Sequence, residues 1–354
     1  MKKWSLSIIL ISLLFACRVD NEIIEETTVP YQTTPYDLSF EGYPIIEIPE
    51  NNPMTEEAIE LGRYLFYDPA INCNACHLQE QSFSSANNLP IEIEGGNYPR
   101  NVMPLVNLAW VEEYSWGGRD NQGLEDKVHS SIITSSQKIY SDVIAELKSS
   151  DVDYAQMYHD AFGSDEINEE NTNKALAQFL RTMTATESRA QRYIDGDASA
   201  LNSFEQFGFN LFFTEKGNCF HCHLNTNKLF TDNSFRNNGL DSVWNLSDFE
   251  DWGAYFQTGQ DFDKGKFRSV TLLNIAQTAP YMHDGRFETL EEVVEHYNSG
   301  GEFAPNKDNL IDEDPAQVGL GLSEQEKAAL VAFLEALTDT TYLNNEAFSN
   351  PFLD

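Results

Sequence analysis

The sequence predicts a mostly α-helical protein made of two domains that follow one another along the chain. Apolar residues recur at helical spacing, and S/T-x-x-E/Q signatures that cap helix N-termini precede several of these segments. Strand signals are sparse and short. The stretch INCNACH at 71–77 returns as GNCFHCH at 217–223, each time after a helical segment. We therefore expect two related helical units with long loops and little strand.

The N-terminus predicts export. Residues 1–17 combine a short basic start, an apolar run and a terminal Cys17, as a cleaved signal peptide does. The run is too short for a membrane span, which needs roughly 20 apolar residues. It resembles a bacterial lipoprotein signal in which Cys17 is lipidated, although Phe15 is bulkier than usual there. The alternative is an ordinary secretory signal, and both predict a periplasmic or cell-envelope protein.

Composition and periodicity divide the remaining chain. Residues 18–45 are acidic and rich in Thr and Pro, which predicts a tether leading into an extended segment. An N-terminal domain over 46–196 would open with a helix capped by Thr55 and close with a helical region at 172–194. A C-terminal domain would cover 197–345, and two domains suit the usual domain size of roughly 100–200 residues.

Capping boxes locate the helices of the C-terminal domain. The three candidate boxes are Ser203 with Gln206, Thr289 with Glu292, and Ser323 with Glu326. The first would open the helix SFEQFGFNLFF and turn Phe204, Phe207 and Leu211 to one side. The other two would open helices near 290–298 and 324–337.

The charge balance restricts the partners. The chain has 57 acidic and 22 basic residues, a formal net charge of −35. Nucleic acid is excluded as a partner, because its phosphates are bound through clustered Lys and Arg. The negative electrostatic potential of this protein would steer a small cationic protein, such as a cytochrome c, toward its surface.

Cysteine usage is the sharpest constraint. Apart from Cys17, every cysteine lies in a CxxCH motif, namely Cys73, Cys76, Cys219 and Cys222. CxxCH attaches c-type haem, because its thiols bond to the porphyrin and the adjacent His binds the iron. A zinc knuckle would need four gathered ligands, and a thioredoxin-like pair does not need the His. The sequence thus predicts two haem c groups with His77 and His223 as proximal ligands and His221 as a spacer.

Longer motifs around the CxxCH sequences point to a family. They are LGRYLFYDP, PRNVMPLVNLAW, YSWGGRD, RYIDGDASAL, GKFRSVTLLNIAQTAPYMHDGRFETLEEVVEHYNSGG and LSEQEKAALVAFLEALT. Over about 46–340 the chain resembles the bacterial di-haem cytochrome c peroxidases, including the MauG branch. The resemblance implies two c-type cytochrome domains that reduce hydrogen peroxide with electrons from a cytochrome or another one-electron donor.

The resemblance also assigns residues around the second haem. Trp116 matches a tryptophan that lies between the two haems, whereas we expect Trp110 to be a packing residue. The sixth ligand of the C-terminal haem stands fourteen residues after His283, at Tyr297, where MauG-type members carry tyrosine. Helical periodicity is compatible with an inward phenol. Met282 and His283 remain competing ligands.

The resemblance leaves the first iron open. Family members that require reductive activation carry a distal His where this chain has Glu94, so the side opposite His77 would be free. His129 and His159 lie in helical or surface stretches and are not expected to be ligands. At the position of the family's catalytic glutamate stands Gln137, which can hold peroxide by hydrogen bonds but cannot titrate near neutrality.

Several alternatives stay open. Asp126 or Glu94 could replace the missing acid. The resemblance implies a calcium ion held by the Asn101 side chain and the carbonyls of Thr278 and Pro280, where a purely structural turn is the alternative. It also allows a homodimer. The rival functions are a non-catalytic di-haem electron-transfer cytochrome and MauG-like oxidation of a partner protein.

Overall fold

Helices joined by long loops form most of the described chain. The computed structural model describes residues 31–85, 91–92, 99–118, 123–136, 138–224, 226–311 and 319–353. Its helices are α1 Glu56–Tyr67, α2 Leu124–Ser136, α3 Tyr140–Lys148, α4 Tyr154–Phe162, α5 Glu169–Thr182, α6 Arg189–Ile194, α7 Ser203–Phe212, α8 Tyr255–Thr258, α9 Leu290–Asn298, α10 Glu324–Glu335 and α11 Thr340–Leu343. Within these ranges, strand is confined to two antiparallel pairs, β1 Ile91–Glu92 with β2 Pro99–Arg100 and β3 Phe235–Arg236 with β4 Phe267–Arg268.

Three predicted helix starts are confirmed. Thr55 accepts a hydrogen bond from the N–H of Ala58 at the start of α1. The boxes Thr289 with Glu292 and Ser323 with Glu326 are complete, with side chain and backbone bonded in both directions, and they open α9 and α10. These termini follow from local chemistry, because each cap satisfies amide donors that the helix itself cannot pair.

The predicted start of α7 was wrong by one residue. Asn202 caps this helix and Glu205 completes the box, so the inward face shifts to Glu205, Gly208, Leu211 and Phe212. Phe204 and Phe207 are consequently 38% and 39% exposed instead of lying with Leu211 on a buried side. The close approach of Gly208 to α10 selects this face.

The helical region predicted at 172–194 is two helices. The backbone leaves α5 after Thr182, and Ser188 restarts it with a capping box to Gln191. The amides of Thr186 and Glu187 donate instead to the Asp339 carboxylate, both at 2.9 Å. A partner distant in sequence thus ends the helix, which helical periodicity could not reveal.

Two helix crossings have the same close packing of a glycine against an alanine carbonyl. Gly62 of α1 lies against the Ala175 carbonyl of α5, and Gly208 of α7 lies against the Ala329 carbonyl of α10, each so closely that a Cβ atom would collide with it. In both halves the helix that leads to CxxCH is therefore held by a glycine contact. Each CxxCH motif follows the C-terminal end of one of these two helices.

We expect Gly208→Ala to destabilise the protein. At an ordinary helix position this change stabilises by about 1 kcal/mol. Here the added methyl must push α7 away from α10, and overpacking of a core costs about 1–3 kcal/mol. Denaturant unfolding followed by circular dichroism measures the sign. Gly62→Ala tests the equivalent crossing, and a stabilised G208A variant would disprove the contact.

A second repeated device anchors the loops. Asn107 and Asn274 both have left-handed backbone conformations, with φ of 58° and 61°. Their N–H groups donate to the carbonyls of Met183 and Leu337 at 2.9 and 3.0 Å. Their side-chain oxygens accept from the N–H groups of Ala185 and Asp339, both at 2.7 Å. The two halves thus fix equivalent loops with the same pair of asparagine hydrogen bonds.

The C-terminal segment crosses back onto the first half. The Tyr67 hydroxyl donates to the Phe348 carbonyl at 2.7 Å, and Phe83 makes edge contacts with Tyr342 and Phe348. Residues Gln32–Asp354 accordingly form one compact unit. The boundary between 46–196 and 197–345 stays a prediction.

Candidate functional site

The first CxxCH motif forms a tight turn after α1. The N–H groups of Cys76 and His77 donate to the Cys73 carbonyl at 3.2 and 3.1 Å. The Nδ1 atom of His77 lies 2.6 Å from the Phe83 carbonyl. Because a carbonyl only accepts, Nδ1 carries the proton and Nε2 keeps its lone pair for a metal.

The second motif reproduces this geometry. The N–H of Cys222 and that of His223 donate to the Cys219 carbonyl at 3.3 and 3.1 Å. The Nδ1 atom of His223 lies 3.0 Å from the Phe230 carbonyl. Both histidines are thus fixed in the tautomer that presents Nε2.

Phe83 and Phe230 are functional positions that sequence reasoning missed. Each is fully buried, and each has a left-handed backbone, with φ of 55° and 52°. This conformation is uncommon for a bulky residue and turns the carbonyl back toward the imidazole. Aligning CNACHLQEQSF with CFHCHLNTNKLF and allowing a one-residue gap would have paired the two phenylalanines.

The cysteines fit covalent haem better than zinc. Burial raises the pKa of Cys73 to about 12 and that of Cys219 to about 12, because a buried thiolate loses its hydration. Within the described ranges, no three His, Cys, Asp or Glu side chains gather as a metal site would need. These four cysteines form no disulfide.

A cavity of about 220 Å³ opens beside the second motif. Cys219, Cys222 and His223 lie on its wall, and the aliphatic face of α9 closes another side, as the periodicity predicted. The α9 residues involved are Leu290, Val293, Val294 and Tyr297. An apolar cavity with two thiols and an oriented imidazole fits a covalently attached haem.

All three candidate sixth ligands line this cavity. Burial raises the pKa of Tyr297 to about 12, and its hydroxyl oxygen accepts a hydrogen bond from Asn238 Nδ2 at 3.3 Å. The same nitrogen lies 3.4 Å from the Met282 sulfur. The buried His283 ring is stacked on Phe267 with centroids 3.6 Å apart. The second motif and its candidate ligands therefore lie around one cavity, and the choice of ligand stays a prediction.

Trp116 and Asn101 are joined at the edge of the same cavity. The indole N–H of Trp116 donates to the Asn101 carbonyl at 2.9 Å. Trp116 is buried and lines the cavity. Trp110 instead donates from its indole to the Pro44 carbonyl and stacks on Tyr43, which agrees with a packing role.

The residues predicted to hold calcium lie together. Asn101 Nδ2 lies 2.5 Å from the Pro280 carbonyl oxygen, and Thr278 is buried beside them on the cavity wall. Asn101 Oδ1 is buried and has no hydrogen-bond partner. An orphaned buried amide oxygen fits an oxygen-liganded cation, because calcium binds amide and backbone carbonyl oxygens.

Other predicted residues are not assembled into this site. Gln137 and Glu94 lie outside the described residues. Asp126 is exposed on α2. His129 pairs with Glu169 at 2.9 Å, and His221 pairs with Glu215 at 3.0 Å, so both are engaged elsewhere. His159 lies on α4, near its end.

Comparisons with known proteins agree with this geometry. A family model described as "Di-haem cytochrome c peroxidase" matches residues 56–199. The methylamine utilization protein MauG of Methylorubrum extorquens is 32% identical over 309 residues, which cover 82% of this chain and 80% of that protein. The chain belongs to the di-haem cytochrome c peroxidase family.

Further members of the family match over similar lengths. Cytochrome-c peroxidase IdrP1 of Denitromonas iodatirespirans is 30% identical, covering 84% of this chain and 85% of its own. The crystal structure of a MauG-like protein associated with microbial copper homeostasis aligns with a TM-score of 0.75 and 30% identity, covering 89% of this chain and 99% of that chain. These matches confirm the predicted family and the mostly helical fold.

Membership in the di-haem cytochrome c peroxidase family defines the chemistry in outline. The protein is a peroxidase-like oxidoreductase with two haem c groups, hydrogen peroxide as substrate and a cytochrome as electron donor. Members of the family typically act outside the cytoplasm. Among the described helices, none has the length and apolar character needed to cross a membrane.

Proposed function

We propose that this protein reduces hydrogen peroxide at the haem held by His77, and that electrons from a cytochrome enter through the haem held by His223. The reaction consumes one peroxide, two electrons and two protons and yields two waters. When bound, the haems supply one-electron redox chemistry and an axial position where peroxide can bind. The observation that carries the proposal is the buried Tyr297 hydroxyl in the cavity of the second motif.

Tyr297 makes the two sites unequal. As an axial ligand, a tyrosine oxygen is a hard donor that would close the second haem and lower its reduction potential relative to a thioether. Asn238 would steady this oxygen through its hydrogen bond. The family resemblance gives the first haem no distal histidine, so peroxide would bind opposite His77.

The histidines and Trp116 have positioning roles in this proposal. The carbonyls of Phe83 and Phe230 keep Nδ1 protonated, so Nε2 would be the atom that binds a haem iron, and its basicity would be raised. Trp116 would shorten the electron route between the haems, held by its bond to Asn101. Gln137 would hold peroxide by hydrogen bonds, and a nearby acid such as Glu94 would supply protons.

Cyanide binding tests this function directly. Added to the oxidised protein, cyanide should change the electron paramagnetic resonance signal of one haem and leave the other unchanged. A peroxidase with one accessible site requires this asymmetry. Two unaltered haems would instead identify a non-catalytic electron-transfer cytochrome.

We expect calcium to bind at Asn101 and to hold the cavity edge together. Asn101→Ala should weaken calcium binding by at least roughly tenfold, because affinity depends on the number of oxygen ligands. Isothermal titration after chelation measures the change. Asn107→Ala serves as a control, since Asn107 anchors a loop through Ala185 instead. Equal calcium affinity in N101A and the parent protein would refute the site.

A MauG-like activity is the second candidate. The support is the identity of 32% to MauG and the tyrosine at position 297. In this case the oxidising equivalents from peroxide would act on residues of a partner protein. Peroxide-dependent modification of a co-purified protein, detected by mass spectrometry, distinguishes it from turnover with a cytochrome.

The finer location is also a proposal. Cys17, which lies outside the described residues, would carry a lipid that attaches the protein to a membrane. Cys17→Ala should release the protein from membranes and abolish labelling by radioactive palmitate.

The strongly negative charge favours a small cationic donor protein. A homodimer remains an expectation that size-exclusion chromatography with light scattering can test.

A further inference from the structure

Three arginines near the second motif differ in how their charges are neutralised. Arg100 donates from Nε and Nη2 to both carboxylate oxygens of Asp251, each at 2.7 Å. Arg236 donates to Asp308 at 2.7 Å and to Asp232 at 2.8 Å. Arg268 has no ion pair with a carboxylate in the described part of the chain, although only 6% of it is exposed.

Arg268 also keeps an unused donor. Its Nη1 donates to Asn233 Oδ1 at 3.0 Å, while its buried Nε has no hydrogen-bond partner. A buried cation without a counter-charge is costly, typically by several kcal/mol before compensation. Burial accordingly lowers the pKa of Arg268 to about 10. Within the described ranges, Asn233 is its side-chain partner and no carboxylate neutralises its charge by direct contact.

The position of Arg268 indicates what its partner is. Its side chain lines the cavity that carries Cys219, Cys222 and His223. Its N–H donates to the Trp116 carbonyl at 3.0 Å, so Arg268 marks the side of the cavity that faces the inter-haem tryptophan. A haem c carries two propionate carboxylates, and the arginine fork matches a carboxylate better than any other side chain does.

We infer that Arg268 binds a propionate of the C-terminal haem and fixes that edge of the cofactor beside Trp116. The pair would neutralise both buried charges and hold the haem edge against the tryptophan. This inference rests on the family's two haems and does not depend on peroxide turnover or on Tyr297 as a ligand.

The nearest rival partner is Glu113. Its Oε1 accepts from Gln257 at 2.7 Å, while Oε2 is buried without a partner. Glu113 acts on Arg268 electrostatically but does not form an ion pair with it. A variant at Glu113 therefore separates a protein counter-charge from a cofactor counter-charge.

Resonance Raman spectroscopy of the purified holoprotein tests the inference, because the bending band of a haem propionate responds to its hydrogen bonds. Arg268→Gln should shift one propionate band to lower frequency. It should also lower the reduction potential of the C-terminal haem by the equivalent of at least a tenfold change in the reduction equilibrium, about 59 mV for one electron. Arg268→Lys should keep most of the potential, since the charge is retained, but still move the band.

Two controls make the result specific. Arg236→Gln removes a guanidinium from the same cavity whose donors are bonded to Asp232, Asp308 and Ser234, so the propionate bands should not move. Glu113→Gln should also leave them unchanged. Unmoved bands in both R268Q and R268K overturn the inference, as would an E113Q variant that reproduces the R268Q shift. If R268Q does not assemble with haem, R268K alone decides by the same criterion.

Discussion

His77→Gly is expected to lower peroxide turnover by more than roughly 100-fold while both haems stay covalently attached. Removing an outer-shell partner of a metal ligand already costs about 10–100-fold. In the proposed site His77 is the ligand itself, and the Phe83 carbonyl lies 2.6 Å from its Nδ1 atom. Steady-state oxidation of a reduced cytochrome c by peroxide measures the loss, and haem content confirms attachment through Cys73 and Cys76.

Added imidazole sharpens this experiment. The glycine variant leaves space for an external ligand, so millimolar imidazole should restore part of the turnover. His129→Gly is the matched control, because this imidazole lies in the same half, stacks on Tyr140 and pairs with Glu169. Its turnover should stay within about threefold of the parent value, as expected for a surface change of this kind. Full turnover in H77G without imidazole would place the peroxide site elsewhere.

Tyr297→Phe is expected to convert the C-terminal haem from six-coordinate to five-coordinate in the oxidised protein. The change removes one oxygen atom from a half-buried ring on the cavity wall and leaves the rest of the α9 side chains unaltered. The electron paramagnetic resonance spectrum should lose a low-spin signal and gain a high-spin one. The reduction potential of this haem should rise, since an oxygen donor that stabilises the oxidised iron is lost.

Tyr281 supplies the matched control. It is also buried on the wall of this cavity, and burial raises its pKa to about 12, as for Tyr297. Tyr281→Phe should leave the spectrum unchanged. Met282 lies close enough to the shared Asn238 nitrogen to replace the lost ligand, so the double variant with Met282→Leu removes that route. If M282L alone loses the low-spin signal and Y297F keeps it, the ligand assignment is wrong.

Local sequence signals predicted the features that depend on short-range chemistry. The caps at Thr55, Thr289 and Ser323 were confirmed because a cap is decided by residues within one turn. The α9 stripe that includes Tyr297 also faces the cavity as its periodicity required. The predicted start of α7 was wrong by one residue because Asn202 and Ser203 are both good N-cap residues. Packing against α10 decided between them.

By itself, the sequence determined the helical class and the family and predicted the two haem attachment points, because these are carried by motifs at fixed spacing and by repeated patterns along the chain. Only the tertiary structure decided which carbonyls orient His77 and His223 and that Asn238 contacts both Tyr297 and Met282. It also decided that Arg268 lies in the cavity without an ion pair to any carboxylate of the described residues. Those relations join residues by backbone conformation and by burial. Neither property can be read from the order of side chains.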